Sequence, residues 1–342
     1  MFINVAREDT SNGYFKNYFT IARVLTSDLY SKMNYSKIKS ILNSIQNPIH
    51  SRIAPTPSGF LHKGNAFSFL LTWILVRKTG GTLTLRIDDI DKNRKRPDYL
   101  QDIFDTLHFL EIDWDKGAKN PNDFERYYSQ HYFLKKYQKE IEILKDKNAV
   151  FECLCSRSEI QNRNSQNQNI YDGFCLNNFL MDNQKQTAFR MNTSYFENQT
   201  ILINDCNQGN FEINLAQKMP YFIVQKKDKL PSYQLVSLID DCQMNINFIV
   251  RGKDLISSTA AQLFLAKILD KRAFLESNFL HHNLILDKEE NKISKSAGNK
   301  YDFFSIKYFK ENGGTRENFL KEFCNWIEIE PKQNLQQILD IL

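Results

Sequence analysis

The chain has 342 residues, enough for two or three domains at roughly 100–200 residues each. Apolar residues make up 42% and charged residues 25%, an ordinary globular balance that excludes wholesale disorder. A net charge of +5 permits a polyanionic partner without requiring one, and six cysteines are too few for a disulfide scaffold.

Residues 1–50 carry no chemical motif and read as an N-terminal extension, with 1–32 an accessory piece or the product of a misplaced start. Within it, Phe15, Tyr18, Phe19, Ile21, Val24 and Leu25 suit a short amphipathic helix. No charged segment followed by an apolar one opens the chain, so a secretory signal is not expected and the cytoplasm is. The longest nearly apolar run, Ala66 to Val76, is too short to span a bilayer and holds Ser68 and Thr72. No membrane partner is expected.

From residue 50 the pattern is α/β. Ser51–Pro55 reads as a strand entering a Pro-Thr-Pro-Ser-Gly turn, and Leu61–Lys78 as a helix ended by Gly80 and Gly81. Leu83, Leu85 and Ile87 alternate with polar residues, as in a strand. Asp98–Leu110 has helical spacing. Strand, helix, strand at these intervals predicts a right-handed βαβ unit with a parallel sheet. A helix is predicted over Tyr127–Lys147, a flexible loop over 162–169, and strands over 200–204, 221–225 and 246–251. Further on come a helix over Ser258–Leu269, a mobile loop over Lys288–Lys300 and short helices over 301–342.

Four groups of residues carry chemistry. The first runs from Arg52 to Asn65, Arg-Ile-Ala-Pro-Thr-Pro-Ser-Gly-Phe-Leu-His-Lys-Gly-Asn. A strand end, a stiff turn and a helix N-terminus meet there, so backbone N–H groups and the helix dipole would face an anion. His62 and Asn65 suit the same phosphates; alone, His62 also suits a purely structural place in a turn. No Gly-x4-Gly-Lys-Ser/Thr is present, which excludes a Walker loop. The second is Lys292-Ile293-Ser294-Lys295-Ser296, two lysines able to fold onto a triphosphate. Alone, that segment reads as a solvated basic loop.

The third group is Cys153-x-Cys155 with Tyr171-x3-Cys175. Spacing alone leaves open a closed tetrahedral zinc site with three thiolates and one oxygen, or three reduced core cysteines. Cys206, Cys242 and Cys324 stand apart as core thiols. The fourth is Tyr233-Gln234-Leu235, Asp240-Asp241 and Ile249–Leu255, the last containing Arg251-Gly252-Lys253-Asp254.

The first two groups, in this order and separated by most of the chain, resemble the HIGH and KMSKS signatures of class I aminoacyl-tRNA synthetases. Leu85-Arg86-Ile87-Asp88-Asp89 and Leu110-Glu111-Ile112-Asp113-Trp114 make the chain similar to the glutamyl branch over about residues 50–300. Cys-x-Cys followed by Tyr-Asp-Gly-x-Cys is similar to the zinc motif of glutamyl-queuosine tRNA(Asp) synthetases, truncated paralogues of the glutamyl enzymes.

The resemblance implies a Rossmann-like class I catalytic domain. It is split into 51–110 and 216–300 by an α/β acceptor-binding region, 111–215, that carries the zinc site. A short helical segment, 301–342, would follow, with no anticodon-binding domain. It implies that Arg52, Ala54, Thr56, Asp88, Tyr233 and Arg251 bind glutamate. His62, Asn65, Lys292 and Lys295 would act in catalysis, with His62, Asn65 and Lys295 on ATP. Cys153, Cys155, Tyr171 and Cys175 would hold one structural Zn²⁺, and Mg²⁺ would accompany ATP. The implied reaction makes glutamyl-adenylate and transfers glutamate to the queuosine base of tRNA(Asp), by a monomer.

Two alternatives accompany that reading: a minimal ligase charging a tRNA 3′ end, and a catalytically silent paralogue that binds RNA or amino acid. The family usually has Glu at the position of Asp88, where it holds the substrate α-amino group. Asp keeps the charge on an arm shorter by about 1.5 Å. The amino group would then be met by Asp88 in a re-set pocket, by Asp89 or by a water. Lys63, where an apolar or aromatic residue is usual, is expected to point to solvent.

Overall fold

A computed structural model describes residues 33–45, 48–163, 170–178, 186–196, 198–284 and 304–342. The expected helix over 15–25, most of the loop over 162–169 and the loop over 288–300 lie outside these residues. Helix α1 (Tyr35–Ser44) is capped by Asn34, whose side chain accepts the Ser36 N–H. Met33, Ile38 and Ile41 are buried in the same core as the elements that follow.

Strand β1 (His50–Ile53), helix α2 (Lys63–Lys78) and strand β2 (Thr82–Leu85) form the expected parallel unit, with Arg52 beside Thr84. Within α2, Ala66–Val76 is buried apart from Ser68. A helix apolar on all sides needs cover on all sides. The sheet covers one face, and the rings of Phe319, Phe323 and Trp326 close on Phe67 at the other. Helix α3 (Pro97–Phe109), with proline in its first turn, leads to β3 (Lys116–Gly117), parallel to β2.

The single helix predicted over 127–147 is broken. A π turn at Phe124–Tyr128 and a 3₁₀ turn at Gln130–Phe133 precede α4 (Leu134–Asp146). The cause is Asp89, whose carboxylate accepts the Gln130 N–H (2.8 Å) and the Ser129 hydroxyl (2.7 Å). Those bonds take the backbone out of the helical ladder.

Next come β4 (Val150–Cys153), β5 (Ala188–Met191), β6 (Thr200–Ile203), β7 (Phe211–Asn214) and β8 (Ile223–Gln225). β5 lies between β4 and β8, antiparallel to both, while β6 pairs with β7. Helix α5 (Tyr233–Gln243) then leads to β9 (Phe248–Gly252), α6 (Ile256–Ile268) and β10 (Asn278–His282). β9 and β10 are parallel, with Arg251 beside His281. The two parallel units join where the Asn247 N–H donates to His50 O (3.0 Å) and the His50 N–H to Asn247 Oδ1 (2.8 Å). The C-terminus forms short helices, as the sequence predicts: α7 (Ile306–Glu311), α8 (Arg316–Trp326) and α9 (Leu335–Ile341). Among the described residues no helix is long and apolar enough to cross a membrane.

Candidate active site

The C-terminal ends of β1 and β9 and the N-terminus of α2 open onto one cleft of about 560 Å³. Clefts at strand C-termini are the usual ligand sites of open α/β sheets. Arg52, Ala54, Thr56, His62, Asn65, Asp88, Tyr233 and Arg251 all line it. Lys292 and Lys295 lie outside the described residues. The cleft also takes in Ser58 and Asp254, which lie in the first and fourth groups without an assigned role, and Arg94 and His282, which the sequence reading did not single out.

His62 is the N-cap of α2. Its Nδ1 accepts the Asn65 N–H (3.4 Å), and Asn65 Oδ1 accepts the His62 N–H (3.3 Å), a reciprocal cap. A Cβ built on Gly64 would lie 3.0 Å from His62 Cε1, so glycine leaves the ring its place. The preceding loop is tied twice. Asp102 Oδ2 accepts the Leu61 N–H (2.7 Å), and the Ile306 N–H donates to Leu61 O (2.8 Å). Burial raises the Asp102 carboxyl to about 6. Lys63 does not simply point to solvent: its ammonium pairs with Glu322 on α8.

Beneath the cleft lies a buried charge network. Arg86, 3% exposed, gives Nε and Nη2 to the two oxygens of Asp88 (2.7 and 3.1 Å). It gives Nη1 to Asp241 Oδ1 (2.6 Å), which also accepts Arg52 Nε (2.9 Å). The Gln130 amide bridges Asp88 Oδ1 (3.2 Å) and Asp240 Oδ2 (2.8 Å), and Tyr137 donates to Asp240 Oδ1 (2.7 Å). Burial opposes every charge here, so the partners decide the outcome. Arg52, Arg86 and Arg251 overcome burial at Asp241 and hold its carboxyl below the ordinary range. Burial wins at Asp240, pushed up to about 6, and at Asp88, also raised. Burial, with Arg52 and Arg86 close by, brings Arg251 down to about 10.

Both Asp88 oxygens are engaged by Arg86, and Asp89, which is not among the residues lining the cleft, is held by Ser129, Gln130 and Lys95 (3.1 Å). The sequence reading also missed the parts played by Arg86, Gln130 and Ser237, whose Oγ accepts Arg86 Nη2 (3.1 Å). The available signal was a charged Arg86 between apolar Leu85 and Ile87.

The cysteine group lies at the end of β4. The sulfurs of Cys153, Cys155 and Cys175 are all within 4.8 Å of one another. Cys155 Sγ stands 3.5 Å from Cys175 Sγ and 3.8 Å from Tyr171 Oη, which accepts the Cys175 N–H (2.8 Å). Zinc–sulfur bonds of about 2.3 Å at tetrahedral angles place sulfurs about 3.8 Å apart, so this donor set fits a zinc ion. Arg163 Nη2 donates to Cys155 Sγ (3.2 Å), and the Arg190 guanidinium lies over the Tyr171 ring (4.0 Å), both suited to an anionic cluster. Cys206, Cys242 and Cys324 pack against the other two cores, as expected of core thiols.

The parallel units, the cleft at their strand ends and the helix N-terminus facing it define a class I synthetase-type catalytic domain. The chain matches the family model described as tRNA synthetases class I (E and Q), catalytic domain, over residues 48–338, and belongs to that family. It is 31% identical over 252 residues to a glutamate–tRNA ligase of Wigglesworthia glossinidia brevipalpis, covering 72% of this chain and 50% of that protein. It is also 31% identical over 245 residues to a glutamyl-Q tRNA(Asp) synthetase of Pseudomonas putida (strain W619), covering 72% of this chain and 76% of that protein. A crystal structure of a glutamate tRNA ligase from Elizabethkingia meningosepticum CCUG26117, in complex with its amino acid, shares the fold. Its TM-score is 0.68 at 22% identity, covering 86% of this chain and 64% of that one. The chain spans about half the length of the glutamate–tRNA ligases it matches.

Proposed function

We propose that the protein activates L-glutamate with MgATP to glutamyl-adenylate and transfers the glutamate to the queuosine base of tRNA(Asp). The observation that carries this reading is that Arg52, Asp88, Tyr233 and Arg251 share one cleft with His62 and Asn65 at the N-terminus of α2. A dicarboxylic amino acid suits the guanidinium groups, and the helix N-terminus suits the phosphates.

In the reaction a carboxylate oxygen of glutamate bonds to the α-phosphorus, and pyrophosphate leaves with the broken P–O bond. The protein's part is positioning and fixed positive charge. Ala54 and Thr56 shape the glutamate side of the cleft. His62 and Asn65 sit at the phosphate end, and Lys292 and Lys295 add charge to the leaving pyrophosphate. Arg251 takes the side-chain carboxylate. Asp88 presents negative charge to the α-amino group while Arg86 holds it in place.

Cys153, Cys155, Cys175 and Tyr171 would hold one structural zinc ion, which would supply a local cross-link and no reaction chemistry. On this reading residues 51–110 and 216–300 are the catalytic halves and 111–215 the acceptor-binding region, within a cytoplasmic monomer.

The queuosine target rests on the cysteine–tyrosine group and on the likeness to a glutamyl-Q tRNA(Asp) synthetase. A second reading, glutamate charging of a tRNA 3′ end, is favoured by the equal identity to glutamate–tRNA ligases. Glutamate-dependent ATP–pyrophosphate exchange, with and without tRNA, tests activation; a folded preparation with no exchange for any amino acid points instead to a silent paralogue. Transfer that survives 3′ oxidation of the tRNA and needs queuosine supports the base as acceptor. The opposite pattern overturns it in favour of the 3′ end.

A further inference from the structure

Behind the cleft, Arg251 ends a buried chain of polar side chains to which the reaction above gives no part. Arg251 on β9 and His281 on β10 are cross-strand neighbours, and Phe279 on β10 is bridged by Asp205. Asp205 Oδ1 accepts the N–H groups of Asn207 (2.9 Å) and Gln208 (2.8 Å). Its Oδ2 accepts the N–H of His281 (2.9 Å) and the ring Nδ1 (2.5 Å). A carboxylate so surrounded by donors requires the proton on His281 Nδ1. Burial, the larger influence, and Arg251 hold the His281 pKa low against the pull of Asp205, so the ring is neutral. Nε2 is then an acceptor, and the Thr259 hydroxyl, 2.8 Å away, donates to it rather than to Leu255 O at 3.2 Å.

That leaves the lone pairs of Thr259 for Arg251 Nη1, at 3.2 Å. Gln262 Oε1, one turn further along α6, accepts from the same nitrogen at 2.8 Å. Both protons of Nη1 are thereby used. Arg251 is only 4% exposed, yet its Nε and Nη2 have no hydrogen-bond partner. Asp241 Oδ2 stands 4.0 Å from Nη2, within ion-pair range and too far for a hydrogen bond. Nε and Nη2 form one edge of the guanidinium, the two-donor edge that a carboxylate takes in a bidentate pair. An amide offers that edge only one acceptor atom.

We propose that Asp205, His281, Thr259 and Gln262 are positioning residues that hold Nη1 of Arg251. They thereby leave its Nε–Nη2 edge unpartnered in a residue that lines the cleft and set the preference for a side-chain carboxylate over an amide. The inference rests on the reading of the cleft as a glutamate site.

The test compares the whole chain with its Thr259→Val and Thr259→Ser variants in ATP–pyrophosphate exchange, with glutamate and with glutamine. Calorimetric titration of glutamate runs alongside. Loss of one hydrogen bond to a charged group predicts that Thr259→Val raises KM for glutamate about tenfold and lowers glutamate-over-glutamine selectivity about tenfold. KM for ATP should stay within about twofold, and Thr259→Ser should restore both glutamate values, a split that a general loss of packing does not produce. If Thr259→Val fails to fold, Gln262→Met removes the other acceptor and carries the same expectation. Folded variants with unchanged KM for glutamate and unchanged selectivity overturn the positioning role alone. A wild-type protein that neither exchanges nor binds glutamate overturns the functional reading, and this inference with it. Binding without exchange keeps the site, and the same variants are then ranked by Kd.

Discussion

The cleft and the cysteine cluster are built by opposite means. The cleft network joins side chains far apart in the chain: Arg52 reaches Asp241 across 189 positions and Arg86 reaches it across 155. Its parts meet only when both parallel units are in place. In the cysteine cluster, by contrast, Cys155 and Cys175 are 20 positions apart, and all four donors lie within residues 153–175. The cluster has a small core of its own, Cys153, Ile160 and Tyr171. A long-range charge network needs the whole fold to pay for its burial. A local donor set needs only a short loop and an ion.

The largest break should come at Arg86. Arg86→Met leaves Asp88 buried without its main partner and takes from Asp241 one of its two hydrogen-bonded arginines, Arg52 being the other. Breaking a buried ion pair costs about 3–5 kcal/mol. Chemical denaturation should show a loss of that order, and pyrophosphate exchange should fall by at least about 100-fold. Retention of both would mean that the network is ornamental.

Metal removal sharpens the other side of the comparison. Purified protein should hold about one zinc per chain, measured by elemental analysis. Chelation should lower the Tm and weaken transfer to tRNA more than it weakens exchange. Active protein prepared without chelators and found free of zinc would refute the site.

A smaller effect is expected at the helix entrance. Gly64→Ala places a Cβ 3.0 Å from the His62 ring, which must shift. Such overpacking costs about 1–3 kcal/mol, and it should appear in exchange kinetics as a higher KM for ATP rather than for glutamate.

The smallest effect concerns pH. Asp102 has a folded pKa of about 6 against an ordinary 3.8. Its raised value means that the folded state binds the extra proton between those limits. The stability deficit is therefore absent below about pH 4 and complete above about pH 6. Asp102→Asn can still accept the Leu61 N–H, so its Tm should gain on the wild type by an amount on the order of 3 °C as pH rises from 4 to 7. Parallel Tm–pH curves for the two proteins would contradict this. Asp240, also near 6, adds a deficit of the same sign.

Much of the local structure was legible. The period-two run at Leu83–Ile87 and the apolar run Ala66–Val76 of α2 are short-range patterns. The helix over 127–147 was misread because Asp89, some 40 positions upstream, takes the bonds of Ser129 and Gln130. Strands β5 and β7 and the described part of residues 1–50, which packs Met33 and Ile38 into the core, gave no such signal.

The sequence, through its motifs and the family resemblance they carry, named eight of the residues that line the cleft and the four residues of the cysteine group, because motif spacing survives in one dimension. Only the tertiary structure decided which carboxylates are spoken for. Asp88 and Asp89 are adjacent and chemically alike. Arg86 holds one at the cleft, while Ser129, Gln130 and Lys95 hold the other away from its lining. Likewise the unpartnered Nε–Nη2 edge of Arg251 depends on Thr259, Gln262, His281 and Asp205, four residues from three separate stretches of chain. Hydrogen bonding is short-ranged and directional, so the partners of a buried charge are set by the contacts that folding makes.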